Sequence, residues 1–213
     1  LVKYHGMRDP ELRFPYHDSI SVCTAPTNTT TTVEWLDDVD AEGGAQDTYL
    51  IDGEEVDGRA AERIAMVVDH VRELAGFDHA VRFESANSFP SNIGFGSSSS
   101  GFAAAAMALV EAAGLDMSHP EISTVARRGS SSAARAVTGA FSHLYAGLND
   151  EDCRSYRLDS DLEDDLKIVA AHVPSYKETE EAHKEAAESH MFQARVAHIP
   201  DQIVEMRDAL REA

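Results

Sequence analysis

The 213-residue chain is short of cysteine, lysine, aromatic side chains and long apolar runs, and each shortage removes a class of explanation. Two cysteines, Cys23 and Cys153, give no disulfide framework, so the fold must close on its own core, and a reducing, cytoplasmic location is expected. No stretch approaches 18 consecutive apolar residues, so no helix is expected to cross a membrane. Lysine supplies four of the 18 basic residues, which face 38 acidic ones for a formal net charge of −20. That balance lacks the clustered Lys and Arg that neutralise phosphates, and it argues against nucleic acid as a partner. The acids are dispersed rather than massed in a tail. Such a surface suits concentrated salt, where screening removes the self-repulsion that would otherwise oppose folding. A halophilic protein is therefore expected. No leader-like segment opens the sequence, and a chain beginning at Leu1 reads as one that has lost its true start.

Against these absences stands ordinary globular content, 43% hydrophobic, enough for one sizeable domain and part of a second. Short β-prone pieces open the chain at 1–4, 19–24 and 29–35, the last rich in β-branched threonine. Residues 37–58 are acidic and glycine-containing and read as a loop or hairpin. From 59 to 74, Ile64, Val67, Val68, Val71 and Leu74 recur at helical spacing, with Gly76 as the stop. A strand over 79–85 precedes a glycine- and serine-rich loop, then a helix over 99–113. Ser118 and Pro120 mark another helix start. A strand over 141–147, an acidic connector over 149–165, a strand over 166–173 and a charged helix over 178–212 complete the reading. Cys23 reads as a small buried hydrophobe, Cys153 as incidental to the connector, and Trp35 as core or rim. His183 and His190, seven apart, read as a solvated helix face.

Two loops draw attention. "SFPSNIGFGSSSSGFAAAAMAL" (88–109) runs from a strand through Gly94, Gly96 and four serines into an alanine-rich helix. Free backbone N–H groups at a helix start, the helix dipole and serine hydroxyls together suit a phosphate. The pattern is neither Gly-Lys-Ser/Thr nor GxGxxG, and from the residues alone a plain capping loop remains an equal reading. "ARRGSSSAARAVTGAF" (126–141) again sets serines beside an arginine, with Ser130, Ser132 and Arg135 expected at one helix start. The bland reading there is a capped helix with a surface arginine. A third cationic piece, "KYHG", lies at residues 3–6.

These stretches, with "TTTTV" and "ESHMFQARVAHIPDQIVEMRDAL", resemble in order and content the mevalonate diphosphate decarboxylase family of the GHMP kinase superfamily. The resemblance covers nearly the whole chain. It implies an α+β, two-domain GHMP-kinase fold: a ribosomal-protein-like N-terminal domain over 1–160, binding ATP and substrate, then the start of a ferredoxin-like domain over 161–213. It implies ATP and Mg²⁺ as cofactors, a phosphorylated mevalonate as the small-molecule partner, and it allows a homodimer. Pro90, Gly94, Gly96, Ser97, Ser98, Ser99 and Gly101 would wrap the ATP phosphates, with Ser98 on the metal. Tyr4, Ser130, Ser132, Arg135 and Arg195 would bind substrate, and Arg135 and Lys3 would act in catalysis. The implied reaction phosphorylates a tertiary hydroxyl, expels phosphate and releases CO₂ to leave an isopentenyl product in isoprenoid biosynthesis.

Two departures qualify that pattern. The family's "KYWGK" is "KYHGM" here, with His5 for tryptophan and Met7 for the second lysine. One cation fewer favours mevalonate 5-phosphate over the diphosphate, as in archaeal relatives; simple repacking is the competing explanation. The family's catalytic aspartate belongs to a segment beyond residue 213, so the chain reads as incomplete. A 3-kinase that stops after phosphoryl transfer and a catalytically dead nucleotide-binding relative are the competing functions.

Overall fold

The computed structural model describes residues 1–24, 27–36, 45–89, 96–169 and 179–213. Nine strands and six helices are found among them. A small hairpin pairs β1 (Met7–Asp9) with β2 (Phe14–Pro15). β3 (Ser19–Val22), β8 (Phe141–Leu144) and β9 (Ser155–Leu158) form an antiparallel sheet with β8 in the middle. A mixed sheet runs in the order β4 (Thr29–Leu36), β7 (Ala80–Asn87), β5 (Thr48–Ile51), β6 (Glu54–Glu55), with β5 and β7 parallel. The helices are α1 (Gly58–Ala75), α2 (Ser97–Ala112), α3 (His119–Gly129), α4 (Ala133–Thr138), α5 (Thr179–Glu188) and α6 (Phe192–Glu212).

The main core lies between the mixed sheet and α1, α2 and α3. Ile64, Val67, Val68 and Val71, spaced as one helical face, are buried against Val81 and Phe83 of β7. α1 ends where Gly76 takes a left-handed conformation at φ 72° and returns its N–H to the Arg72 carbonyl. Ala103, Ala105 and Ala106 let α2 approach its neighbours closely, while Leu109 and Val110 fill the space beyond. Ser118 and Glu121 form a reciprocal capping box at the start of α3. A second core joins Val2, Ile20 and Phe141 to Ile199, Ile203 and Leu210, which seats α6 against β3.

A fully buried arginine ties the remaining pieces. Arg127 lies over the Phe14 ring at 4.5 Å, donates to the carbonyls of Cys153 and Leu12, and pairs with Asp150. It thereby fixes the β1–β2 hairpin against the turn before β9.

Several expectations need correction. Residues 1–4 contribute a single bridge, Val2 to Ile20, rather than a strand. The acidic connector over 149–165 contains β9 and a 3-10 turn at Asp161–Glu163. Its Cys153 is completely buried with Phe14, Ala134 and Leu144. Cys23 lies exposed just past β3. Residues 166–169 have no regular structure, and the rest of that expected strand lies outside the described residues. The long terminal helix is two helices broken at 189–191, where the Ser189 hydroxyl accepts from the Met191 N–H.

Candidate active site

The chain enters α2 from β7, and the serine-rich loop lies between them. Pro90 and Gly94 fall outside the described residues; Gly96, Ser97, Ser98, Ser99 and Gly101 are placed. Gly96 is left-handed at φ 78°, and no side chain among the described residues caps α2, so first-turn N–H groups have no cap there. Ser100 faces the sheet, where its hydroxyl accepts from Thr29 at 2.7 Å. Ser97, Ser98, Gly101 and Phe102 line one wall of a cavity of about 310 Å³ whose other walls include Arg63, Ser85 and Asn87.

The second loop meets the first directly. Ser130 ends α3 and Ser132 precedes α4, and their hydroxyls lie 3.1 Å apart. Ser132 also hydrogen-bonds Ser99 of α2. Ser131 turns the other way: its hydroxyl reaches the Met7 sulfur at 3.4 Å and donates to the Arg13 carbonyl. Position 7 therefore packs against the serine turn itself.

Arg135, on α4, is 8% exposed. Its Nε donates to Ser21 Oγ at 2.8 Å, Nη1 donates to Ser19 Oγ, and the guanidinium lies 5.3 Å from the Tyr4 ring centre. No carboxylate pairs with it among the described residues, and burial pushes its pKa below the ordinary value. Tyr4 is buried at 5% exposure and stacks on His183 at 5.0 Å. His183 corrects the expectation of a solvated face: it is buried, and its Nδ1 accepts the Gly6 N–H at 3.1 Å. His190 is exposed beyond the end of α5. Arg195 donates through Nη2 to the Lys3 carbonyl at 2.8 Å and so braces the first residues from α6.

Sequence reasoning missed Arg63. It lies over Phe102 at 4.8 Å and donates to the Gly129 carbonyl at 2.6 Å, joining the start of α2 to the end of α3. Its Nε is buried without a hydrogen-bond partner among the described residues. Burial, reinforced by Arg13 and Arg59, lowers its pKa to about 10. Its i−1 and i+1 neighbours on α1 are Glu62 and the buried Ile64, so nothing local marks it. A wider surface hollow of about 680 Å³, lined by Tyr145, Asp152, Arg154 and Tyr156, holds none of the converging hydroxyls. The smaller cavity is the candidate nucleotide site, because Ser97 and Ser98 of the serine-rich loop line it, and Ser99 of the same helical turn bonds the Ser130–Ser132 pair beside it.

A family model described as the diphosphomevalonate decarboxylase-like N-terminal domain matches residues 1–155. The chain belongs to that family. It is 75% identical over 210 residues to the phosphomevalonate decarboxylase of Haloferax volcanii, covering 99% of this chain and 63% of that relative. It is 28% identical to the diphosphomevalonate decarboxylase of Saccharomyces cerevisiae, covering 57% of its length. The crystal structure of mevalonate diphosphate decarboxylase from Staphylococcus aureus superposes with a TM-score of 0.85 at 30% identity, covering 99% of this chain and 64% of that one. The MDDEF complex with MVAPP, AMPPCP and magnesium has a TM-score of 0.83 at 24% identity, a likeness of fold. The chain thus has the GHMP-kinase fold of the family and spans somewhat under two thirds of these relatives. No helix among the described residues is long and apolar enough to cross a membrane.

Proposed function

We propose that this chain is the nucleotide- and substrate-binding part of an ATP-dependent decarboxylase that converts mevalonate 5-phosphate to isopentenyl phosphate. One observation carries the reading. The hydroxyls of Ser99, Ser130 and Ser132 converge from three helix ends near a buried arginine that has no carboxylate partner among the described residues. A polyanion and a carboxylate are the ligands such a set is short of. The likeness to the Haloferax volcanii enzyme supports the same activity.

The residues present fit MgATP. The uncapped start of α2, the left-handed Gly96 and the Ser97 and Ser98 hydroxyls offer donors to phosphates, with Ser98 toward the metal. The cavity beside them, about 310 Å³, stands at the lower end of the roughly 300–1,000 Å³ usual for ligand sites. When bound, MgATP supplies the phosphoryl group that makes the 3-oxygen of mevalonate a leaving group. Everything else falls to the chain's own groups. Ser130 and Ser132 hold the substrate's single phosphate, with Lys3 and Tyr4 beside them. Arg135 forks onto the carboxylate and keeps the bond that releases CO₂ aligned with the leaving group. Arg195 holds the Lys3 segment in place. Met7 is an uncharged thioether where the family has a second lysine, which favours one phosphate over two; its sulfur meets Ser131, whose hydroxyl turns away from those of Ser130 and Ser132. The division at residue 160 belongs to this proposal, with α6 seating the second unit on β3 of the first.

The test uses the full-length gene product with ATP, Mg²⁺ and mevalonate 5-phosphate. Equimolar ADP and CO₂ are expected. ADP without CO₂ would identify a 3-kinase instead, and neither product would reduce the protein to a binding role.

A further inference from the structure

Two arginines are buried among the described residues, Arg127 and Arg135, and they are held in opposite ways. Arg127 is matched by Asp150 and two carbonyls, the usual solution for a guanidinium removed from water. Arg135 is held by two serine hydroxyls, Ser21 at Nε and Ser19 at Nη1. Its Nη2 has no protein partner among the described residues.

The placement of those serines follows from the strand. Ser19 and Ser21 are two apart on β3 and share one face, while Ile20 between them faces the α6 core. A buried strand position ordinarily carries an apolar side chain, and a hydroxyl there is unfavourable unless it is bonded. The same interface repeats the device. Thr138, at the end of α4, bonds Ser142 of β8 at 2.9 Å and Ser155 of β9 at 2.8 Å, and Ser142 is the register partner of Ser21. α4 is thus docked on the sheet through hydroxyls, and its arginine is gripped from β3.

We infer that Ser19 and Ser21 are positioning residues that fix the Arg135 guanidinium through neutral acceptors, leaving its charge for the substrate's carboxylate. The inference rests on the function proposed above. An aspartate or glutamate in their place would hold the arginine equally well and cancel the charge the substrate needs. Apolar residues would pack the strand and leave the guanidinium free to turn. A hydroxyl satisfies both demands.

The test uses the full-length gene product and the variants Ser19→Ala, Ser21→Ala, Ser21→Thr and the double alanine. The readouts are kcat and KM for mevalonate 5-phosphate, KM for ATP, and affinity for the analogue whose carboxylate is reduced to an alcohol. Misplacing a catalytic group by about 1 Å lowers turnover roughly a hundredfold, so each alanine is expected to lower kcat/KM about ten- to a hundredfold. ATP affinity and affinity for the alcohol analogue should not change, and Ser21→Thr, which keeps the hydroxyl, should retain activity. If Ser19→Ala fails to fold, Ser21→Ala, at the less buried position, carries the test. An active wild type whose double variant stays within twofold overturns the inference. So does a loss shared equally by ATP and the alcohol analogue, which would mark a general structural role. A wild type inactive on mevalonate phosphates overturns the functional reading itself, and this inference with it.

Discussion

Acid should loosen the site through His183, and the size of the effect can be worked from its surroundings. His183 is buried against Tyr4, accepts the Gly6 N–H through Nδ1, and has its pKa lowered to about 4 by burial, then by Lys3, His5 and Arg13. A protonated imidazole cannot accept that bond, and the charge would sit among cations. The folded-state pKa lies below the ordinary 6.5, so the unfolded chain takes up the proton first. The stabilisation is fully present above pH 6.5 and is lost as pH falls toward 4. At about 1.36 kcal/mol per pH unit the gap amounts to about 3 kcal/mol. His183→Phe keeps an aromatic ring against Tyr4 but strands the Gly6 N–H, at a cost of about 1–3 kcal/mol. Wild type should be the more stable protein at pH 7, the variant should be flatter in acid, and their stability curves should cross near about pH 5. Thermal melts in molar KCl from pH 7.5 to about pH 4.5 read this directly, at about 2–4 °C per kcal/mol for a chain of this size. Curves that stay parallel across that range would refute the reasoning, because other titrating groups are common to both proteins.

Packing, backbone conformation and charge each set a further outcome. A Cβ at Gly129 would lie 2.1 Å from the Phe102 ring, so Gly129→Ala should destabilise by about 1–3 kcal/mol, measured by melting. An unchanged Tm would mean that α2 and α3 pack differently. Gly96→Val places a β-branched residue at φ 78° where α2 begins and should abolish ATP binding in a titration while the far-ultraviolet spectrum persists. Stability should rise steeply between low and molar KCl, since 38 acids against 18 bases repel most when unscreened; a Tm indifferent to salt would contradict this.

Local patterns were the legible part of the fold. The valine and isoleucine spacing of α1, its Gly76 stop and the helix start at Ser118 each act within a turn or two of chain, and all three stand as the sequence predicts; the Glu121 half of the cap was added by the structure. What escaped depends on distant partners. β9 reads as polar because Tyr156 and Arg157 point outward, and β8 alone makes it a strand. Cys153 looked incidental until Phe14 and Leu144 closed over it. The break at Ser189 is one side-chain hydrogen bond in an otherwise helical stretch. At the candidate site, the serines and Arg135 stood out from composition and family pattern, and the structure brings Ser99, Ser130 and Ser132 together. Their holders did not stand out: Ser19 and Ser21 lie more than 110 residues before Arg135 in the chain, and His183 reaches Tyr4 from α5.

The number of phosphates on the substrate is the most exposed part of the account, and a single comparison decides it. The ratio of kcat/KM for mevalonate 5-phosphate to that for the 5-diphosphate is measured on the full-length gene product with ATP and Mg²⁺. Each phosphate oxygen left without a donor in a closed pocket costs about 1–3 kcal/mol, so a ratio of about ten to a hundred in favour of the monophosphate is predicted. Met7→Lys, which restores a cation against the serine turn, should move that ratio toward the diphosphate. A wild type that prefers the diphosphate, or a Met7→Lys variant whose ratio does not move, would contradict the account.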